Sequence, residues 1–403
     1  MQTVMNIAIA KPDFGVIGGA EKVLRRMERA LEARGHSVTQ LTVDAHRTGD
    51  APFGVVTPWQ QWSEHPEFFQ YMALLQAFDE LDATGYDVLI STQPPSFAAQ
   101  HPRHLSLFFH HHRVFYDLAE VYVASGFVGP ELHRRAVELV HSVDDQRLSR
   151  VTHFLANSEV TKERLQRFSG MDGNVSVYRT GLGIEGYPTQ REHSGGRDLL
   201  CVGRVSFTKR TELFVHALKY LPALRGLVIG EGDRMPFVRA LDSRLSSGTV
   251  DLDSLGERDL WLNRGEVPLA DGGPPDGAAG RGNVEFLGTV SDERLRELYS
   301  SALCVVAPAL QEDYGITAVE AMSFGVPLIV CRDGGGLTAL VENGVNGMVV
   351  EPSGRAIAAA VEALCNDPDM ARRLGVQGRE TAREYTWDRG IDEVLAGLDR
   401  VAP

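Results

Sequence analysis

Cysteine is scarce in this sequence, and the few cysteines that occur lie far apart. The 403 residues contain only Cys201, Cys304, Cys331 and Cys365, and no two of them form a CxxC pair. Three of the four lie inside apolar runs, which predicts reduced core residues. This pattern excludes a small disulfide-stabilised scaffold and a cysteine-based zinc site, and we expect no bound metal.

Long apolar stretches are also missing. No run of about 18 apolar residues occurs, and the first residues lack the pattern of a secretory leader. The sequence therefore predicts a cytoplasmic protein whose contact with a membrane is at most peripheral.

Positive charge is the third scarcity. Lysine and arginine number 40 against 54 acidic residues, which gives a formal net charge of −14. A chain of this charge does not suit nucleic acid, because phosphate binding needs clustered basic residues. Arg25, Arg26 and Arg29 on the first predicted helix leave open a local basic face toward lipid, and the alternative is a solvated helix face.

The chain has what a soluble, multi-domain α/β protein needs. Hydrophobic residues make up 43% and charged residues 23%, and 403 residues favour two domains. Short apolar runs alternate with segments of helical periodicity, a rhythm typical of doubly wound parallel sheets. We predict an N-terminal Rossmann-like domain over 1–180 and a second over 198–385.

Two stretches interrupt this rhythm. Residues 181–197 are rich in glycine and polar residues and are interpreted as the interdomain linker. Residues from about 235 to 282 read as an irregular insertion. The segment 386–403 is an amphipathic pattern, predicted to form a C-terminal helix that packs toward the N-terminal domain.

The segment EDYGITAVEAMSFGVP at 312–327 carries the strongest chemical signal. A buried strand runs to about Ala307, and a helix is predicted to begin near Gly315. Unpaired N–H groups at a helix start favour anions, so Gly315 and Ile316 are candidates to hold a phosphate. Glu312 and Glu320 flank that point, and spacing alone leaves open whether they bind a ligand or are ordinary helix glutamates.

The same segment resembles the E-x7-E signature of glycosyltransferase family 4, whose members are retaining enzymes of the GT-B fold. The similarity extends to GVIGGAEKV near the start, GRVSFTK at 203–209, GEG at 230–232 and FLGTV at 286–290. It implies two Rossmann-like domains facing a cleft, the first binding the acceptor and the second binding the nucleotide-sugar donor.

The resemblance assigns roles to individual residues. Glu312 is expected to contact donor-sugar hydroxyls and Glu320 the nucleotide ribose, while Arg204 and Lys209 neutralise the diphosphate. The catalytic candidates are His110, Arg204, Lys209 and Glu312. The donor-binding candidates are Gly18, Gly19, Arg204, Lys209, Gly230, Gly288, Val290, Glu312, Gly315, Ile316, Thr317 and Glu320.

Residues of the N-terminal half complete the expected site. Gly18 and Gly19 lie in a loop that allows close backbone approach, followed by Glu21 in the first turn of a helix. His110 corresponds best to the family's histidine facing the donor sugar. Because an extended chain alternates faces, at most two of the neighbours His110, His111 and His112 face the same way.

The implied reaction transfers a sugar from a UDP- or GDP-sugar to a small acceptor such as a secondary metabolite, glycan precursor or lipid head group. No far-face nucleophile is evident in these motifs, so we expect front-face attack assisted by the leaving diphosphate. The scheme needs no metal and no cofactor besides the nucleotide-sugar co-substrate. The partners are therefore a nucleotide sugar and a small molecule, with no nucleic acid.

Two departures from the family pattern affect these assignments. Ala339 stands where the family often has glutamate after the Gly335–Gly336 turn, which removes one expected polar contact. Arg210 follows Lys209 where glycine is common, so the backbone there is expected to close less freely over phosphate.

Other readings remain open. They are a GT-B sugar-nucleotide epimerase, a phosphorylase with pyridoxal phosphate on one of five lysines, and a non-catalytic nucleotide-sugar-binding protein. A nicotinamide site fits poorly because GVIGGA is not G-x-G-x-x-G. Asp251 and Asp253 resemble a metal-binding DxD element but lie in the irregular stretch. The aromatic stretch 59–72 suits helix core or an acceptor-stacking surface.

Overall fold

A computed structural model describes residues 4–15, 19–46, 51–181, 196–248, 256, 258–263 and 282–402. The chain divides into two compact units. Unit 1 comprises Met1–Gly181 and Thr386–Pro403, and unit 2 comprises Leu182–Tyr385. Most of the predicted linker and the segment with Asp251 and Asp253 fall outside the described residues.

Unit 1 is built on a six-stranded parallel sheet with strand order β2-β1-β3-β4-β5-β6. Its strands are β1 Asn6–Asp13, β2 Ser37–Asp44, β3 Val88–Ser91, β4 His104–Phe108, β5 His153–Ala156 and β6 Val175–Val177. Its helices before the chain enters unit 2 are α1 Gly19–Glu32, α2 Trp59–Glu64, α3 Pro66–Asp79, α4 Ala119–Ala124, α5 Pro130–Leu148 and α6 Glu159–Ser169.

Unit 2 repeats the plan with strand order β12-β11-β10-β7-β8-β9, again with parallel pairing. Its strands are β7 Asp198–Val202, β8 Arg225–Ile229, β9 Val284–Gly288, β10 Cys304–Ala307, β11 Leu328–Cys331 and β12 Met348–Val350. Its helices are α7 Thr211–Lys219, α8 Met235–Ser247, α9 Asp292–Ser301, α10 Ile316–Ser323, α11 Gly336–Leu340, α12 Gly354–Asn366 and α13 Pro368–Ala382.

The central strands explain why both sheets are covered on both faces. VLI in β3, CVVA in β10 and LIVC in β11 are continuous apolar runs, and nearly all of their side chains are buried. A strand without polar alternation must be packed on both sides, which in a parallel sheet means helices on both faces. The predicted α/β class with two doubly wound sheets is confirmed.

Helix α8 differs from the sequence-based expectation. Irregular structure was expected from residue 235, but Met235–Ser247 is a regular helix. Its buried side chains include Met235, Val238, Leu241 and Leu245, which recur at helical spacing and pack on unit 2. The sequence-based expectation missed this spacing of apolar residues because the later part of the stretch 235–282 is rich in glycine. The regular part of unit 2 therefore continues to Ser247.

The last helix, α14 Trp387–Val401, returns to unit 1 after the chain leaves unit 2. Its buried residues Ile391, Val394, Leu398 and Val401 belong to the same apolar cluster as residues of β1, β3, β4 and β5. In the part of the chain that the structure describes, no helix is long and apolar enough to cross a membrane.

We predict that Leu398→Ala lowers the free energy of unfolding by about 2–5 kcal/mol, since it leaves a cavity beneath α14. Leu398 is fully buried. Leu139→Ala on α5 is the control, because Leu139 is 54% exposed and its loss should change stability by less than about 0.5 kcal/mol. Urea unfolding of the three proteins measures both values, and equal effects would contradict the packing described for α14.

Candidate functional site

The site lies in unit 2 where the strand order reverses. β7 pairs with β8 on one side and with β10 on the other, so the loops after β7 and β10 leave the sheet toward different neighbours. In open α/β sheets, ligands bind at the carboxyl edge at such a switch point. A depression opens there, and five residues expected to bind the donor line it: Arg204, Lys209, Glu312, Gly315 and Thr317.

Lys209 and Glu312 are brought together from loops about 100 residues apart. Nζ of Lys209 donates to Oε2 of Glu312, and the two side chains are 32% and 18% exposed. Arg204 is exposed at the start of the same loop as Lys209. The depression is therefore lined by two cations and one carboxylate, whose charges are only partly screened by water.

The start of helix α10 adds a third positive feature. Gly315 is the N-cap residue, and the helix begins at Ile316. The first N–H groups of a helix have no partner within it and carry the positive end of its dipole. Thr317 in that first turn lines the depression. Ile316 belongs to the same turn but is not among the lining residues.

Gly315 is required by the protein's own geometry. Its φ is 82°, and a Cβ there would lie 2.6 Å from Cδ2 of Leu337. L-residues are strained at this φ and Leu337 fills the adjoining space, so the fold itself favours glycine at this position.

Glu320 lies deeper than a solvent-facing helix residue. It is 6% exposed, and the hydroxyl of Tyr299 lies 3.5 Å from its Oε2. Burial and the nearby Glu320 carboxylate raise the pKa of Tyr299 well above its usual value. Glu320 is therefore not a solvated side chain on the helix surface. Glu320 is not among the residues lining the depression, and its contact with ribose stays a prediction.

Gly230 and Gly288 shape the neighbouring strand ends. Gly230 has φ 125°, its N–H donates to the carbonyl of Gly288 at 2.8 Å, and a Cβ would collide with the carbonyl of Gly203. Gly288 has φ 66°. Val290 packs against the apolar core of unit 2. These three residues are not among those lining the depression, and their contact with a donor stays a prediction.

The histidine triplet lies at the carboxyl edge of the sheet in unit 1. His111 is buried, and burial lowers its pKa to about 3, so its ring is neutral. His110 is half-buried, with Nδ1 2.6 Å from the carbonyl of His111. His112 pairs with Glu67 at 3.1 Å. The middle ring thus points away from the solvent that its two neighbours reach.

The glycine loop of unit 1 is only partly described. Gly19 begins α1 and is exposed, whereas Gly18 lies outside the described residues. Glu21 accepts a hydrogen bond from Nε2 of Gln93, which follows β3, at 3.4 Å. In the aromatic stretch, Trp59 is 73% exposed and stacks on Trp62.

Sequence reasoning named Arg210 only as a departure from the family pattern and missed its pairing with Asp333. Arg210 adopts φ 49° and its guanidinium is fully buried. Nη1 and Nη2 donate to the two Asp333 oxygens at 2.7 and 2.6 Å, and Nε donates to the carbonyl of Pro308 at 2.7 Å. The backbone therefore takes the left-handed conformation despite lacking glycine. The pair spans 123 positions, so no local sequence pattern indicated it.

The Gly335–Gly336 turn closes against the Glu312 loop. The N–H of Glu312 donates to the carbonyl of Gly334 at 2.9 Å, and the N–H of Gly336 donates to the carbonyl of Glu312. A Cβ on Gly335 would lie 2.7 Å from that carbonyl. Ala339, the departure from the family pattern, is exposed on α11.

Among the residues that the structure describes, no group of three or more histidine, cysteine, aspartate or glutamate side chains is arranged to hold a metal ion.

We predict that Gly315→Ala destabilises unit 2 by more than Gly344→Ala does. Both glycines have positive φ, but a Cβ at Gly344 meets nothing within 4 Å, so its cost is the backbone strain of about 1 kcal/mol. Gly315→Ala adds the collision with Leu337. Thermal unfolding of both variants, and of Gly315→Ala combined with Leu337→Ala, tests this; equal melting temperatures for the two single variants would contradict it.

Comparison with known proteins agrees with the geometry. A family profile described as "Glycosyltransferase Family 4" matches residues 17–185, and one described as "Glycosyl transferases group 1" matches residues 278–381. A D-inositol 3-phosphate glycosyltransferase of Nocardiopsis dassonvillei is 29% identical over 264 residues, covering 62% of this chain and 56% of that protein. The chain thus spans about half the length of the curated relatives it matches.

Solved structures show the same fold. Sucrose-phosphate synthase of Thermosynechococcus elongatus superposes with a TM-score of 0.67 at 22% identity, covering 98% of both chains. HepE of Anabaena, solved with UDP-glucose, gives a TM-score of 0.65 at 17% identity, covering 97% of this chain and 99% of that one. Two parallel six-stranded sheets, a charged depression at the switch point and both family profiles lead to one conclusion: this chain belongs to glycosyltransferase family 4, the group 1 glycosyl transferases, and has the GT-B fold.

Proposed function

We propose that this protein transfers a sugar from a nucleoside-diphosphate sugar to a small-molecule acceptor, with retention of anomeric configuration. The observation that carries the proposal is the convergence of Arg204, Lys209 and the start of α10 on one depression, beside the Glu312 carboxylate. Two cations and a helix N-terminus form an environment suited to a diphosphate.

The diphosphate is the group whose charge grows during the reaction. When the bond between the anomeric carbon and the phosphate oxygen breaks, the bonding electrons stay with the diphosphate. Arg204, Lys209 and the first N–H groups of α10 stabilise that negative charge, and preorganised donors of this kind supply much of an enzyme's rate enhancement. No metal is needed in this scheme, because these groups supply the positive charge.

Glu312 acts on the sugar side. Its carboxylate accepts a hydrogen bond from Lys209, which orients it at the depression that both residues line. An ionised carboxylate accepts hydrogen bonds and can orient the hydroxyls of the donor sugar. Glu312 is thus a donor-binding group in this proposal, with neither the nucleophile nor the general base role.

The acceptor attacks from the face that the diphosphate leaves. A bond forms between the acceptor oxygen and the anomeric carbon, and the acceptor's proton passes to the departing phosphate oxygen. The role that the family resemblance implies for His110, a hydrogen bond to the donor sugar, stays a prediction. Positioning and charge stabilisation therefore account for catalysis without a covalent intermediate.

The relatives suggest where donor and acceptor screens should start. HepE of Anabaena was solved with UDP-glucose, which supports UDP-hexoses as the first donors to test, with GDP-hexoses next. The relative from Nocardiopsis dassonvillei is named for D-inositol 3-phosphate, so a polyol phosphate belongs in the acceptor panel. Secondary metabolites, glycan precursors and lipid head groups complete that panel.

We predict that Lys209→Ala weakens UDP or GDP binding by about 10- to 100-fold, because a charge-assisted contact to phosphate is lost. Glu312→Gln should lower kcat and leave the dissociation constant of the free nucleoside diphosphate nearly unchanged. Isothermal titration and initial-rate kinetics measure the two effects. Arg225→Ala is the control, because Arg225 pairs with Asp198 at the opposite edge of the same sheet.

Three outcomes would contradict the proposal. Wild-type protein that binds no nucleoside diphosphate in a thermal-shift screen has no donor site of this kind. Formation of an epimer without acceptor would identify a sugar-nucleotide epimerase. Binding with no turnover across the acceptor panel would indicate a non-catalytic nucleotide-sugar-binding protein.

A further inference from the structure

A short turn at residues 258–263 is firmly docked on unit 2. It follows α8 in sequence and lies within the stretch expected to be irregular. Leu260 is 1% exposed and Trp261 is 6% exposed, so two large apolar side chains anchor the turn. Burial of this extent in so short a turn indicates a defined packing position.

Arg234 binds the backbone of this turn from one side. Nη1 donates to the carbonyl of Asn263 at 2.8 Å, and Nη2 donates to the carbonyl of Trp261 at 3.3 Å. Arg234 is in turn held by Glu212 of α7, whose Oε1 accepts from Nε at 2.9 Å and from Nη2 at 2.6 Å. Both side chains are buried, so the turn is bound to a fixed ion pair.

Trp261 meets the loop that carries Lys209. The Arg210 guanidinium carbon lies 5.0 Å from the centroid of the Trp261 ring, which is within the range of a cation–π contact. The ring of Phe207 lies 5.9 Å from the same ring. Phe207 is the first residue of the short helical turn Phe207–Lys209, and Arg210 directly follows that turn. The indole therefore contacts residues on both sides of Lys209 in sequence.

The Arg210 guanidinium has hydrogen-bond partners in addition to its contact with Trp261. Its N–H groups bind Asp333 and the carbonyls of Pro308 and Ala309, which precede Glu312. Its guanidinium carbon lies over the Trp261 ring. Arg210 therefore connects the Lys209 loop, the Glu312 loop and the 258–263 turn.

We propose that Trp261 is a positioning residue for the diphosphate site, acting through Arg210 and Phe207 to hold Lys209 in its binding position. The inference rests on the proposed function and deepens it: the turn within the insertion is part of the donor site's support. Trp261 is not among the residues lining the depression, so its effect on binding is indirect. A support of this kind lowers the cost of ordering the loop when phosphate binds.

The test compares Trp261→Phe, Trp261→Leu and the wild type in the full-length protein. The Phe variant keeps an aromatic face beneath Arg210, whereas the Leu variant keeps apolar burial but loses that face. We expect UDP, or GDP if that is the nucleotide bound, to bind Trp261→Leu about 3- to 30-fold more weakly and Trp261→Phe within about twofold of the wild type. In kinetics, Trp261→Leu should raise KM for the donor more than it lowers kcat.

Tyr220→Ala is the matched control. Tyr220 forms a similar contact with Arg355, at 4.9 Å, in the same unit but after the end of α7 remote from Lys209. It should leave nucleotide affinity unchanged. If wild type binds nucleotide and Trp261→Leu binds it equally well, the positioning role is refuted and the proposed function survives. If Phe and Leu variants weaken binding equally, the aromatic face is not responsible and the inference also fails. A wild type that binds no nucleotide refutes the proposed function itself.

Discussion

The candidate site depends on a constraint that all parallel sheets share: every strand ends at the same edge. In unit 2, the loops after β7, β8, β10 and β11 must therefore meet in a small volume. Their backbones approach so closely that a Cβ at Gly230, Gly232 or Gly335 would collide with a neighbouring carbonyl. Backbone hydrogen bonds hold these loops together around the depression. The packing of the loops fixes the positions of the charged residues that line it.

Arg210 makes this convergence stable. A buried guanidinium is costly unless its donors and charge are matched, and the two oxygens of Asp333 with two backbone carbonyls provide that match. The left-handed backbone at Arg210 adds a strain of about 1 kcal/mol, which the charge-assisted hydrogen bonds offset. Arg210, which departs from the family pattern in the phosphate loop, thus connects three loops.

The charged and polar side chains of the two units differ in their burial. In unit 2, Lys209 and Glu312 remain partly exposed, so their charges are available to a ligand. In unit 1, His111 is buried and neutral, and Asp144 is buried beneath Tyr71 and Tyr116, where burial raises its pKa to about 7. His110 and His112, by contrast, are half-buried and keep contact with solvent.

Much of the fold was predictable because it follows from local patterns. Continuous apolar runs such as CVVA and LIVC indicate buried parallel strands. The alternation of these runs with segments of helical periodicity predicts two doubly wound sheets. Helix α8 was missed because glycine-rich sequence beyond Ser247 obscured its four regularly spaced apolar residues. The sequence also allowed one edge of the second sheet to be predicted as the place where five residues lie, since each of them follows a strand or begins a helix there: Arg204, Lys209, Glu312, Gly315 and Thr317.

The sequence by itself determined the element order, the carboxyl-edge location of the charged residues and the glycine at 315 where a helix had to begin. Only the tertiary structure decided that Glu320 is buried against Tyr299, that Arg210 binds Asp333, and that Trp261 packs on the Lys209 loop. The reason is physical: periodicity and helix starts are properties of neighbouring residues, whereas burial and ion pairing join residues that are distant in sequence and adjacent only after the sheet has formed.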